Sequence, residues 1–329
     1  MTATTARFGI RVAAFCVCVQ GTAFAQSRDA AAGFPVKPLR IVVPYPPGGG
    51  LDIMARLLAG PLNERWGQPV IIDNRPGASG MVGTQIVSRA VADGYTLVMV
   101  STEFITAPLV YRQRLYDTIA DFSGVGQTAS QSYLLVVHPS VPAQNLKELI
   151  AHAKSRATPL TYTSAGLGGV GHLSGELLKR HAGIDMTFVP YKGTGPALTE
   201  TIGGQVQVMI INPLPAIAHI KAGRLRLLAG TDAKRIASLP DTPAMNETLP
   251  GLATSGWNGL IAPKGVPAAV IAKLNEAISA IIKSPEGRER IVTGGAEPVT
   301  STPQAFSALM ADEHRRWSDI IRAAKIGAQ

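Results

Sequence analysis

The sequence predicts an α/β chain of two lobes with a cleft between them, and three observations carry that expectation. Apolar runs of strand length alternate with segments of helical periodicity through two successive blocks of the chain. Glycine-rich loops sit where a strand gives way to a helix, at 47–52, 75–80 and 164–172. A lone strand near 257–262 precedes two long helical segments, which looks like a return of the chain to its first block. Such alternation implies mainly parallel sheets with right-handed crossovers.

The first residues lie outside this fold. Arg7 and Arg11 flank the start of a short apolar run at 12–19, and Ala23-Phe24-Ala25 has the small-x-small form of a cleavage site. Residues 1–25 therefore read as a secretory signal peptide, cut before Gln26, with the mature protein in the periplasm. Cys16 and Cys18 lie inside the signal, preceded by Phe15 and Val17 where a lipid-anchoring signal has a small residue. The mature chain has no cysteine, so neither disulfide nor thiol chemistry is expected. Its 304 residues (329 less 25) suggest two domains. Without Arg7 and Arg11 it carries 29 basic and 22 acidic residues, a formal charge of +7. The basic residues are scattered and aromatics are few, which excludes a nucleic-acid groove and suits small anionic ligands. No run of about 18 apolar residues follows the signal, so no membrane-spanning helix is expected.

In the first block, residues 39–45 (LRIVVPY) read as a buried strand. Residues 52–66 read as a helix that turns Ile53, Met54, Leu57, Leu58 and Leu62 to one face. A strand at 69–73, a loop at 74–80 (NRPGASG), a helix at 81–92 and a strand at 95–100 complete a βαβαβ unit. The second block has strands at 133–137, 160–163, 186–191, 206–211 and 225–229. Helices at 146–156, 173–181, 196–202 and 216–222 alternate with them. Loop-rich 240–255 leads to the strand at 257–262 and to helices at 267–283 and 303–325. The expected lobes are 26–127 with 250–329, and 128–249.

The three glycine loops share one design. Backbone N–H groups at a helix N-terminus are unsatisfied within the helix and carry partial positive charge, so they form an anion site. Glycine lets the anion approach without a Cβ in the way. In open α/β sheets such loops gather at the carboxyl ends of the strands, where ligands bind. Residues 166–171 (GLGGVG) match G-x-G-x-x-G, but the acid that should end the next strand is missing, since Asp185 precedes that strand. A dinucleotide cofactor is thereby disfavoured, and no cofactor is expected. Ser79 and Ser164 sit on glycine loops outside any G-x-S-x-G, so the rival reading as a secreted hydrolase is weak. The six histidines form no ligand pair, and no metal is expected. His172 opens a helix, where packing, capping and ligand contact are all open. Asp52 either contacts ligand or favours the helix dipole. Trp257 either walls the cleft or packs in the core.

The segments PYPPGGGLDIMAR, DNRPGASG with ADGYTL, SAGLGGVGHLSGELL, VPYKGTGPAL, GGQVQVM, KAGRLRLLA and SGWNGLIAPKGVP occur in this order and span nearly all of 35–329. With them the chain resembles a Bug-type periplasmic receptor, the extracytoplasmic binding component of tripartite tricarboxylate transporters. The resemblance implies a type II periplasmic binding protein, each lobe a mainly parallel sheet flanked by helices, that closes like a flytrap. It implies a small carboxylate ligand, held largely by backbone amides and ordered waters, and membrane components of such a transporter as partners. A monomer without enzymatic activity is expected, and a receptor feeding a sensor system stays open beside transport.

Carried onto this chain, the resemblance assigns ligand binding to Gly48, Gly49, Gly50 and Asp52, to Gly77, Ala78 and Ser79, and to Ser164, Ala165, Gly166 and Gly168, with His172 behind. Ser101, Thr102, Glu103, Asn212 and Trp257 complete the candidate set. Two departures stand out. Leu51 replaces the usual Thr or Ser, and Glu103-Phe104 follows Ser101-Thr102 where small residues are common. Glu103 either borders the cleft and bears on ligand choice, or turns to solvent.

Overall fold

The computed structural model describes residues 32–111, 114–236, 239–323 and 326–327; the expected signal peptide lies outside them. Among the described residues no helix is long and apolar enough to cross a membrane. The chain opens with β1 (Leu39–Val43), α1 (Gly50–Trp66), β2 (Val70–Asn74), a 3-10 turn (Ala78–Gly80), α2 (Met81–Ser88), β3 (Thr96–Ser101) and α3 (Glu103–Val110). Pro44, with no N–H to give to a ladder, follows the end of β1. Gly67 ends α1 in the left-handed conformation, its N–H donating to Asn63 O.

The long β4 (Phe122–Ser132) leads through Tyr133 to β5 (Leu134–Val137). Then come α4 (Leu146–Ser155), β6 (Leu160–Thr163), α5 (Val170–Ala182), β7 (Met186–Phe188), α6 (Thr194–Ile202), β8 (Val208–Ile211), α7 (Pro213–Lys221) and β9 (Arg226–Gly230). The chain finishes with the short α8 (Met245–Thr248), β10 (Ser255–Pro263), α9 (Ala268–Lys283), α10 (Pro285–Thr293), β11 (Glu297–Pro298) and α11 (Pro303–Ala323).

The strands form a six-stranded sheet of order β11-β4-β10-β3-β1-β2 and a five-stranded sheet of order β7-β6-β8-β5-β9. The two are built alike. Three neighbours are parallel in each, β2-β1-β3 and β7-β6-β8. A reversed strand comes next, β10 or β5, and the strand beyond it, β4 or β9, is antiparallel to it. β4 and β9 therefore regain the common direction. The reversed strand is in both cases the first one after the chain crosses between lobes.

Each sheet is covered on both faces. In the first lobe, Leu58 and Leu62 of α1 pack with Leu274 and Ile278 of α9 over one face. Phe306 and Trp317 of α11 pack with Phe104 over the other. In the second lobe, Leu149 and Leu178 cover one face, and Ala197 and Ala216 the other. The two crossings share one hydrogen-bonded strip. Tyr133 N donates to Thr231 Oγ1 at 3.1 Å, Thr231 N to Tyr133 O at 2.8 Å, and Thr254 N to Thr231 O at 2.8 Å.

Candidate functional site

The carboxyl ends of the parallel strands carry the glycine loops, and the two lobes face each other across them. The N-terminus of α1 lies opposite that of α7, close enough that a Cβ on Gly50 would stand 3.9 Å from Asn212 Nδ2. Gly49, Gly169 and Asn212, which precede α1, α5 and α7, provide no side-chain cap. Away from the seam, α4 and α10 do carry a side-chain cap: Asn145 accepts from Glu148 N, and Ser284 from Gly287 N. At the seam, helix N-termini from both lobes thus lack a cap from the preceding residue, an arrangement that favours an anion between the lobes.

Asp52 holds the first loop in shape. It is buried at 2% exposure, and its Oδ2 accepts from Gly48 N (2.9 Å) and Arg56 Nε (2.9 Å). Its Oδ1 accepts from Asn74 Nδ2 at 3.0 Å, and the same amide donates to Tyr45 O. Burial alone would raise this carboxyl, but Arg56, the Gly48 N–H and Asn74 outweigh it and hold the acid below its usual range. Gly48, Gly49 and Gly50 are exposed above this anchor.

The second loop is a strained turn. Ala78 (φ 46°) and Ser79 (φ 52°) both lie in the left-handed region between Gly77 and Gly80. Such residues cost on the order of 1–3 kcal/mol each and persist where surrounding structure fixes them. Here Tyr45 Oη donates to Ser79 O (3.1 Å), and Ser79 Oγ lies 3.1 Å from Tyr111 Oη. The same hydroxyl crosses the cleft to donate to Leu167 O at 3.1 Å.

The third loop approaches the first lobe closely. Gly168 has a positive φ of 77°, and a Cβ there would stand 3.3 Å from Val110 Cβ and 3.4 Å from Ala107 Cα. A Cβ on Gly166 would lie 3.5 Å from Ser79 Oγ. Ser164 Oγ donates to Gly166 O, and Ala165 is partly exposed beside it. Among the described residues no histidine reaches the hydroxyl of Ser79 or Ser164.

His172 lies beneath this loop. It is buried between Tyr162 and Phe188, and its Nδ1 accepts from Gly168 N at 3.2 Å. Burial lowers its pKa to about 4, with Lys179 adding to the effect and Glu176 opposing it. The folded state therefore keeps His172 neutral where an unfolded chain protonates near pH 6.5. Stability from this group is fully present above pH 6.5 and is lost as pH falls toward 4, amounting to about 3 kcal/mol. Wild type is expected to lose about that much more than His172→Gln between pH 7 and pH 4 in denaturant titrations. Equal losses in both proteins would remove this assignment.

Ser101, Thr102 and Glu103 close the floor of the cleft. Thr102 is buried and its Oγ1 accepts from Trp257 N at 3.0 Å. The Trp257 ring packs edge-on against Phe306 in the first-lobe core, so of its two sequence readings the packing one matches its surroundings. Glu103 is partly buried and points across the seam. One carboxylate oxygen accepts from Ser101 Oγ, and the other lies 3.4 Å from both Tyr133 Oη and Val170 N. The solvent-facing alternative for Glu103 is not what the structure shows. Burial first, then the Glu103 charge, pushes the Tyr45 and Tyr133 phenols well above their usual range.

Tyr45, Tyr111, Tyr133 and Val170 join the site without having been singled out in the sequence. Tyr133 stands directly before the apolar LLVV strand and reads there as one more strand residue. Only the pairing of the two crossings turns its hydroxyl toward Glu103. Among the described residues no cluster of three metal-ligating side chains occurs.

Residues 54–326 match the model of the tripartite tricarboxylate transporter family receptor. The chain is 36% identical over 295 residues to protein BugT of Bordetella pertussis, covering 88% of this chain and 90% of that protein. It is similar to the solved structure of Rpa4515 from R. palustris with adipate, at 36% identity and a TM-score of 0.85, over 89% of this chain and 99% of that one. MatC from Rhodopseudomonas palustris with bound malate matches at 32% identity and a TM-score of 0.80, over 88% and 100%.

Proposed function

Because the chain belongs to the tripartite tricarboxylate transporter family receptors, we propose that it is a periplasmic solute-binding protein that captures a small carboxylate between its lobes. It then delivers the acid to the membrane components of such a transporter. The observation that carries this reading is the set of uncapped helix N-termini brought to one seam from both lobes. An anion placed there meets backbone donors at the start of α1 that no side chain caps, across from the α7 N-terminus of the other lobe. The acids named with Rpa4515 and MatC support a carboxylate as that anion. On this reading the lobes hinge at Tyr133 and at the Thr231–Thr254 contact, which is supported by the hydrogen bonds that join the two crossings. Strain held at Ala78 and Ser79 keeps the Ser79 hydroxyl aimed at the second lobe, so the turn is set before ligand arrives.

A thermal-shift screen over mono-, di- and tricarboxylates, aromatic acids and amino acids tests the reading. A cognate acid at 100 times its Kd should add about 2.7 kcal/mol of stability. Saturation with it should also compact the protein in solution scattering, because the anion has to touch both lobes. A panel that leaves the melting temperature unchanged would overturn the carboxylate reading. Binding without compaction would overturn closure as the capture step.

A further inference from the structure

Resting on the carboxylate-receptor reading above, we propose that Glu103 is the specificity-determining residue of the cleft. The acid it selects has one carboxylate, for the first-lobe glycine loop, and a hydrogen-bond-donating neutral or cationic group at the other end.

The placement of the Glu103 carboxylate leads to this. It lies on the floor of the first lobe and reaches the N-terminus of α5 in the second, 3.4 Å from Val170 N. That amide belongs to an uncapped helix start, the kind of position that would otherwise take an anionic group from a ligand. Here the chain supplies the anion itself. The neighbouring glycine makes room for it, since a Cβ on Gly169 would stand 3.2 Å from the Glu103 oxygen. Ser101 Oγ and Tyr133 Oη converge on the same carboxylate, so its position is fixed from both the floor and the hinge.

The α1 end of the cleft carries no such acid. Asp52 lies beneath that loop, but its charge is offset by Arg56, and Gly48 N and Asn74 also donate to it. The two ends therefore differ in sign: open amide donors at Gly49 and Gly50, and a fixed carboxylate at Glu103. A ligand carboxylate about 4 Å from Glu103, at an effective dielectric of about 20, would be repelled by an amount worth roughly a thousandfold in Kd. An ammonium, amide or hydroxyl in the same place would instead donate to the lone pair that Ser101 leaves free on the Glu103 carboxylate.

Matched acids isolate the effect: succinate against succinamate, malate against malamate, and adipate against adipamate, titrated into wild type, Glu103→Gln and Glu103→Asp. Each pair differs only by exchange of one carboxylate for an amide. Wild type is expected to favour the monoamide at least tenfold in every pair that binds. Glu103→Gln should favour the diacid, with its Kd for the diacid falling by a hundredfold or more. Glu103→Asp, which keeps the charge, should keep the wild-type order and thereby separates charge from a folding defect. The proposal is overturned if wild type binds the diacid as tightly as its monoamide, or if Glu103→Gln leaves the order unchanged. If no acid of these pairs or of the wider screen binds any of the three proteins, the receptor reading itself has failed and the selectivity falls with it.

Discussion

Gly171→Ala should lower the stability of the protein by about 3 kcal/mol, at the upper end of what overpacking a core position costs. A Cβ at this position would stand 2.7 Å from the Ile210 carbonyl oxygen and 2.8 Å from Ser164 Cβ. Neither neighbour is a flexible side-chain tip. Ile210 belongs to β8, and Ser164 follows directly on β6, so relief requires α5 to move away from the sheet it covers. The same movement would carry Val170 away from Glu103. Denaturant titration measures the effect, with Gly60→Ala as control, because nothing lies within 4 Å of a Cβ at Gly60. A midpoint for Gly171→Ala equal to that of wild type would show that the close approach of α5 to its sheet is not needed.

Gly166→Val should act on binding rather than on folding. The Cβ itself fits, at 3.5 Å from Ser79 Oγ, and Gly166 has no positive φ to forbid a side chain. The two γ-methyl groups, however, extend into the seam where Ser79 meets Leu167. They hold the lobes apart and cover the approach to the loop amides. The Kd for a cognate acid should weaken by a hundredfold or more, about 2.7 kcal/mol, while stability without ligand stays within about 1 kcal/mol of wild type. Gly49→Val tests the first-lobe loop in the same way, since its Cβ clears Pro46 O at 3.6 Å. Affinities equal to wild type in both variants would remove the backbone clamp.

Much of this architecture is legible in the residues because the parallel units announce themselves. Leu39–Val43, Leu160–Thr163 and Met81–Ser88 each start directly after a proline or glycine, and each element begins where its pattern begins. What escapes the pattern has physical reasons. β4 contains Ser123-Gly124-Val125-Gly126, a composition that looks like a loop. The glycines are there for helix packing: Cβ atoms on Gly124 and Gly126 would stand 2.8 Å from Ser307 Oγ and 2.6 Å from Asn275 Nδ2. α3 begins at Glu103 directly after β3 and contains Pro108, so neither its start nor its interior carries the usual helix signals. The glycine loops could be located from sequence, but the identity of their supports could not. Asn74 joins the Asp52–Arg56 pair only when α1 lies beside β2, and Glu103 finds Val170 only when one lobe faces the other.

The pairing of Ser132 with Ser255 means that the chain leaves and re-enters the first sheet at facing residues. The second lobe is thus a guest spliced into a host at a single point, and its strands come from one uninterrupted stretch, β5 to β9. A chain that emerges amino end first can finish the guest before the host. The host cannot finish early, because β10 lies between β3 and β4 and is made long after both. Until Pro263 has emerged, β3 and β4 each present a bare backbone edge, the kind of surface that recruits foreign strands. This places the burden on whatever shields those edges until the first four-fifths of the chain have been made, and closure of the host sheet becomes one of the last events of folding.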